Sequence, residues 1–463
     1  MNAHLTMSST INLTICLTWN MKTRTSAKNA GEHAGCCPGD NTVSGRVLHV
    51  LSQRPSLTGS GVTLDAIVRH AAATGWDQRV VVGVPPEDPQ PSIGDLSANS
   101  IAPLIFEQEE LDFPLPGMSD VMPYRSSVFS SLTPTQLSAY REVWRRHLAA
   151  VAAEFHPQLV HTHHVWIVSS LIKDILPEVP VVNHCHATGL RQMSLCPHLT
   201  GEVRRGARRN DRFLVMSRDH AVQLSSCLDL SADRIQVVGA GYREDLFHTS
   251  AADLRAITGP EGEEPAERIG HLLFIGKYSA AKGLPWLLDA FTRLQVRRPE
   301  LRLHVAGSGA GPEAAALEHR MRAMAPTLVL HGQLTQQELA ELMRRCAVCV
   351  LPSFYEGVPL VLIEALACGC RLVTTRLSGI KEQLAPTLGP FLDLIPLPRL
   401  HTIDSPVAED LPAFVHDLET AMETALAKPS PLHHAGRLQK ALIPYTWSAV
   451  FQRVATVWRD LTQ

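Results

Sequence analysis

Short apolar runs alternate with amphipathic stretches from Arg46 onward, the pattern of a parallel α/β protein. Val47–Leu51 is apolar almost throughout, as a strand covered on both faces must be. A helix is expected from Val62 to about Thr74, then a strand over Arg79–Val82. Residues 88–134 hold many prolines and no clean period, which predicts an irregular excursion. A long helix begins near Pro134, with Leu137, Tyr140, Trp144, Leu148 and Val151 spaced for one buried face. Further strands are expected at Leu159–His161, Val181–Asn183, Phe213–Met216 and Ile235–Val238.

The alternation stops at residues 249–268, which are polar and rich in Gly, Pro and Glu, as a connection between domains would be. It resumes at His271–Ile275 and recurs at Leu301–Val305, Leu328–His331, Val348–Leu351 and Arg371–Thr374. Two such series predict an α/β fold of two doubly wound, Rossmann-like domains, 45–250 and 269–445, facing each other across a cleft. Residues 251–268 are the expected linker. The last stretch, 446–463, carries Trp447, Val450, Phe451, Val454, Val457, Trp458 and Leu461 on one helical face. Residues 1–44, rich in Asn, Thr, Ser, Gly and Lys, are expected to be a poorly ordered leader without a functional part.

Composition narrows the classes. Of 463 residues, 45% are hydrophobic and 19% charged, which is a globular balance rather than a disordered one. A net charge of -3 argues against bulk attraction to nucleic acid. Ten cysteines in a chain this long do not read as a disulfide scaffold. The run Ile11–Trp19 is broken by Asn12, Thr14 and Thr18 and is followed, not preceded, by Lys22 and Arg24. That fits neither a membrane span nor a secretory signal, so a cytoplasmic location is expected.

Candidate chemistry concentrates in the second series. After the strand Val348–Leu351 comes the loop Pro352-Ser-Phe-Tyr-Glu356-Gly357, and Pro359 is expected at the first position of the next helix. The amides of Val358, Leu360 and Val361 then lack helical partners and can receive an anion such as a diphosphate. Glu364 lies about two turns further on, amid Leu360, Val361, Leu362, Ile363, Ala365 and Leu366. A carboxylate in so apolar a helix is costly to leave idle. Lys277 and Lys282 flank the loop after His271–Ile275, a place suited to phosphates.

Other motifs weigh less. Gly307-Ser-Gly309-Ala-Gly311-Pro312 nearly matches a dinucleotide fingerprint, but Pro312 replaces the third glycine and the next strand ends without an acid for a ribose. No Walker lysine follows Thr58-Gly-Ser-Gly61. Cys346, Cys349, Cys368 and Cys370 have superficial zinc spacing, yet they fall in an apolar strand and helix and are expected as packed thiols; no metal site is expected. His161, His163, His164, His184 and His186 follow first-series strand ends, where cleft residues and merely structural histidines are both open readings. Arg204, Arg205, Arg208 and Arg209 would form one basic helical stripe, either a solvated face or a contact with an anionic membrane or acceptor.

Taken together, these residues resemble the retaining glycosyltransferases of family 4, which have the GT-B fold. The resemblance covers residues 46–385 in stretches and returns at the C-terminal helix, which the family carries back to the first domain. Its most specific part is the E-x7-E block from Glu356 to Glu364, followed by Ser378-Gly-Ile-Lys-Glu382. Gly59 and Gly61 match the family's glycine-rich loop, Lys277 and Lys282 its basic pair, and His186 its cleft histidine.

The resemblance implies transfer of a sugar from a nucleotide-diphosphate donor, UDP- or GDP-linked, without a further cofactor. The receiving hydroxyl belongs to an unidentified glycan, lipid-linked or small-molecule acceptor. Glu364 would hold the ribose and Glu356 the transferred sugar. Lys277, Lys282 and the amides at Val358 and Leu360 would neutralise the diphosphate, so no metal is needed; the chain has no Asp-x-Asp. The alternative is a catalytically silent GT-B subunit that binds a sugar or a partner enzyme. Two departures stand out: Gly239-Ala-Gly-Tyr-Arg-Glu-Asp-Leu-Phe247 replaces the usual turn before the linker, and the proline-rich stretch 386–412 is long.

Overall fold

Seven parallel strands form the first sheet of the computed structural model, in the order β3-β2-β1-β6-β7-β8-β9. They are β1 (Gly45–Leu51), β2 (Trp76–Val84), β3 (Ile101–Ile105), β6 (Leu159–His163), β7 (Val181–His184), β8 (Arg212–Val215) and β9 (Ile235–Val237). A two-residue pair, β4 (Pro116–Gly117) and β5 (Ser127–Val128), lies in the excursion between β3 and the long helix Pro134–Phe155. The second sheet has the order β12-β11-β10-β13-β14-β15. Its strands are β10 (His271–Ile275), β11 (Arg302–Ala306), β12 (Leu328–Gly332), β13 (Val348–Leu351), β14 (Arg371–Thr375) and β15 (Leu392–Ile395). The structure describes residues 45–55, 58–119, 122, 124–250, 255, 268–309, 311–356, 358–402 and 404–463. The expected leader 1–44, nearly all of the expected linker, and Gly357 lie outside the described residues.

Both sheets reverse their strand order beside the first strand of each series, at β1–β6 and at β10–β13. Crevices open at the carboxyl ends of strands at such points, so loops from both sheets are available to one cleft.

Two strands correct the expectations. β3 falls inside the stretch expected to be irregular, and β15 inside the proline-rich run. Both are edge strands. Pro103 sits within β3, opposite Val82, where its missing N–H faces away from the ladder. A third correction concerns the first helix, which runs Gly59–Ala73 and so starts three residues earlier than expected. Thr58 caps it by accepting the Gly61 amide at 3.1 Å. A Cβ at Gly61 would stand 1.6 Å from the Pro55 carbonyl oxygen, so only glycine allows this turn.

The terminal helix Trp447–Thr462 crosses back to the first sheet. Phe451, Val454, Val457 and Trp458 are buried with Val47, Ile67, Leu159 and Leu214 in one cluster. Trp458 meets the Trp76 ring edge-on at 5.1 Å. Tyr242 also bridges Thr446, so the turn at Gly239–Phe247 is tied to the start of this helix.

Candidate active site

Loops from both sheets line one cavity of about 990 Å³. The first sheet contributes Gln53 and Gly59 after β1, His164 after β6, His184 and His186 at β7, and Met216 after β8. The second contributes Gly276–Ser279 after β10, Gly307–Gly309 after β11, Gln333 after β12, and Val358 and Leu360 after β13. Of the expected site residues, Gly59, His186, Lys277, Val358 and Leu360 reach this surface. Gly61, Lys282, Glu356 and Glu364 are not among its lining. Gly61 instead shapes the turn behind it.

Lys282 and Glu356 are brought together. Lys282 Nζ lies 2.5 Å from Glu356 Oε1, and Ser353 Oγ donates to the same oxygen at 2.8 Å. The two loops are fixed by their backbones: the Phe354 amide donates to the Ala281 carbonyl at 3.0 Å. Gly283 permits this approach, having a φ of +70° and no room for a Cβ, which would lie 2.1 Å from the Pro352 carbonyl oxygen. Lys277 is exposed at the cavity surface.

The helix after β13 is Leu360–Ala367, and Pro359 is its N-cap rather than its first residue. With ψ at 99°, Pro359 stays extended, and the first turn closes from the Leu362 amide to the Pro359 carbonyl at 3.1 Å. The amides of Leu360 and Val361 precede that bond, so the positive end of the helix meets the cavity beside Val358. Glu364 is half-buried. Among the described residues its carboxylate has no hydrogen-bond or ion-pair partner. Desolvation pushes its pKa up to about 7.

The first sheet brings a row of imidazoles. His163 stands opposite His184 in the parallel ladder and His49 opposite His161, so their rings share one face. The His161 and His163 rings stack at 5.0 Å, and those of His184 and His186 at 5.1 Å. His163 Nδ1 is hydrogen-bonded to His186 Nε2 at 3.2 Å. His164 adopts a φ of 66°, unusual for a residue with a side chain, and Thr188 Oγ1 lies 3.1 Å from its Nδ1. Burial lowers the pKa of His164 and His184 to about 3 and holds His161, His163 and His186 well below the ordinary value. These rings are neutral at physiological pH.

Among the described residues, both ring nitrogens of His161, Nε2 of His163 and of His164, and Nδ1 of His184 are buried without a hydrogen-bond partner. The ligand atoms of His161, His163 and His184 lie within 4.8 Å of one another, the one such group of metal-ligating type among the described residues.

Several lining residues had little sequence signal. Met118 and Met122 come from the proline-rich excursion, and Trp447 from the terminal helix. Gly307–Gly309, discounted as a dinucleotide fingerprint, faces the cavity all the same. Cys346, Cys349 and Cys368 are free and buried, and burial pushes each of these thiols up, so they are unreactive packing groups; Cys370 is buried beside them. Arg208 and Arg209 are paired with Asp229 and Asp174 at 3.2 and 2.7 Å, which leaves the arginine stripe half neutralised.

Comparison with known proteins matches both halves to family models. Residues 58–241 match the glycosyl transferase 4-like domain and residues 270–390 the glycosyl transferases group 1. The chain belongs to the group 1 glycosyl transferases. Among relatives of this glycosyltransferase, a D-inositol 3-phosphate glycosyltransferase of Segniliparus rotundus is 26% identical over 70% of the chain and 71% of its own length. A glycogen synthase of Mycobacterium tuberculosis is 28% identical over 49% of the chain and 54% of its own length. Several further relatives are likewise spanned over only about half their length.

Solved structures share the GT-B fold. The sucrose-phosphate synthase of Thermosynechococcus elongatus has a TM-score of 0.64 at 18% identity, covering 90% of this glycosyltransferase and 99% of that chain. Anabaena HepE in complex with UDP and glucose has a TM-score of 0.59 at 16% identity, covering 89% and 98%.

Proposed function

We propose that the chain transfers a sugar, with retention of configuration, from a nucleotide-diphosphate sugar to an acceptor hydroxyl. The observation that carries this reading is the second-sheet side of the cavity: Lys277 and the open helix start at Val358–Leu360 line it, and the tied Lys282–Glu356 pair stands on the same two loops, after strand ends of one sheet. A diphosphate fits between the lysines and the helix amides. Glu364, unpartnered and half-buried, accepts the ribose hydroxyls. Glu356 faces the transferred sugar.

Chemistry then needs charge stabilisation more than a strong base. The anomeric carbon's bond to the diphosphate oxygen breaks, the acceptor oxygen bonds to the same face, and the acceptor proton leaves on the diphosphate. Both lysines neutralise the departing charge, so transfer is expected to persist in a chelator. A UDP donor is the first to try, given the complex of HepE with UDP and glucose. Free thiols at Cys185, Cys227, Cys346, Cys349 and Cys368 fit a reducing compartment, and we infer a cytoplasmic location.

A panel of nucleoside diphosphates and their sugars tests donor binding. At least one is expected to raise the melting temperature of the wild type and to do so much less for Glu364→Ala; no stabilisation by any of them would end the donor reading. Product made from a labelled α-linked donor is expected to be α-linked, and a β-linked product would rule out retention.

A further inference from the structure

The two walls of the cavity differ in chemistry. Among the described residues its ionised lining side chains are Lys277 and Glu313, both from the second-sheet side, and the Ala280 amide already donates to Glu313 at 2.7 Å. The opposite wall is built from Met118, Met122 and Met216 together with Trp447. Around these apolar groups stand neutral hydrogen-bonding side chains, Gln53, Ser119 and Thr188, and the imidazoles of His164, His184 and His186.

The arginine nearest in sequence to that wall is already engaged. Arg54 follows Gln53 directly, but its guanidinium lies 3.0 Å from the Asp88 carboxylate and 5.9 Å from the centre of the Tyr124 ring. The imidazoles offer no positive charge, because burial keeps them neutral.

We propose that the acceptor is an uncharged, hydroxyl-bearing molecule with an apolar body, an alkyl or aryl alcohol or glycoside, bound between the methionines and the imidazole row. This rests on the donor occupying the second-sheet wall. A phosphate monoester placed against the methionines would give up its water for neutral partners, a poor exchange for a dianion. An alkyl or aryl body gains contact there. Methionine is unbranched and polarizable, so three of them can adapt to an irregular apolar shape. The hydroxyl that reacts is oriented by His186, whose own ring is held by His163. Its oxygen forms the new bond to the anomeric carbon and its proton departs with the diphosphate.

The test uses the full chain, the nucleotide-sugar that stabilises it best in the donor panel, and two acceptor probes. They are n-octyl β-D-glucoside below its micellar concentration and D-myo-inositol 3-phosphate. Transfer is followed by mass spectrometry, and binding by the further rise in melting temperature over the nucleoside diphosphate alone. The octyl glucoside is expected to bind and to be preferred in kcat/KM by about 100-fold or more. Met122→Ala and Met216→Ala should each lower its kcat/KM by about 10-fold, the effect of lost apolar contact in a pocket. Neither should change stabilisation by the nucleoside diphosphate, which also shows that the variants fold. Equal or better use of the inositol phosphate overturns the proposal. So does an octyl glucoside that neither binds nor reacts while the nucleotide still stabilises the protein. If no nucleotide stabilises it, the donor reading fails first and takes the acceptor assignment with it.

Discussion

Lys282→Ala is expected to lower kcat/KM by about 10- to 100-fold, and Lys282→Arg to recover part of that loss. The figure follows from about 1.5–3 kcal/mol for a hydrogen bond to a charged group, felt where the diphosphate departs. In the proposed reading Lys282 is placed before any ligand arrives, since its ammonium sits against Glu356 and its loop is bonded to the Glu356 loop through Phe354 and Ala281. An ammonium has three donors, so it can keep Glu356 and still reach a phosphate oxygen. Glu356→Gln provides the contrast. It removes a charge next to the sugar while Ser353 and Lys282 remain, and should lower kcat with nucleoside diphosphate affinity unchanged. The paired measurement is steady-state kinetics alongside nucleotide-induced thermal shift. Should both variants lose nucleotide affinity and rate in the same proportion, the division of labour between diphosphate and sugar would be wrong. Unfolding is not the expected cause in either case, because both side chains retain partial exposure, 26% for Lys282 and 15% for Glu356.

That contact was not legible in the chain. The two residues are 74 positions apart, and they meet because β10 and β13 are neighbours across the switch in strand order. Periodicity finds strands; it does not order them. What could be read was the set of strands buried on both faces. His271–Ile275 and Val348–Leu351 stand with the bounds their apolar runs predict, since runs of four or five residues are too short for a helix and fit a strand covered on both faces. The two edge strands were hidden for a matching reason. Ile101–Ile105 contains Pro103, and Leu392–Ile395 follows Pro390 and precedes Pro396, so both sit in proline-rich stretches that signal loops. An edge tolerates proline, and the rule that proline breaks strands fails there.

The cavity divides along the same line. Glycines, lysines and glutamates of the second sheet have spacing that chemistry constrains, so they could be named in advance. Met118 and Met122 could not, because a loop side chain turned toward a ligand obeys no period. The histidines lay between these cases. Their grouping at β6 and β7 was readable, although only His164 and His186 follow the strands while His161, His163 and His184 lie within them. Their neutrality was not readable, because it comes from burial under neighbouring rings and the terminal helix.

Glu364→Gln is expected to make the protein more stable above pH 7 and to weaken the donor. The carboxyl of Glu364 has its pKa raised to about 7 by desolvation, with no partner to offset it. A raised carboxyl means the folded state holds a proton that the unfolded chain has released. The protonated group therefore costs nothing below about pH 4.3, the ordinary glutamate value. Between there and pH 7 its contribution to stability falls as pH rises. By pH 8 the ionised, unpartnered carboxylate should be costing on the order of 3–4 kcal/mol, from about 1.4 kcal/mol per pKa unit. Glutamine removes that pH-dependent loss. The pH-dependent part of the difference between the two proteins in denaturant unfolding should therefore vanish below about pH 4, be small at pH 5 and be fully developed at pH 8, with the variant the more stable there.

The same carboxylate gives binding a proton signature. Ribose hydroxyls that donate to its ionised form draw the pKa back down, so a donor bound at pH 7 should expel a fraction of a proton from Glu364. Calorimetry in buffers of different ionisation heat measures this. The ligand should be a nucleotide-sugar and not the free diphosphate, whose terminal phosphate titrates in the same range. Proton release is expected in wild type and absent in Glu364→Gln. Equal release by the two would mean that the ribose does not lie on Glu364, and an unchanged stability difference from pH 5 to pH 8 would mean that the carboxyl is not desolvated. A carboxylate kept unpaired at a cost to stability is what a site for an absent hydroxyl pair should look like, and these two measurements address its two halves separately.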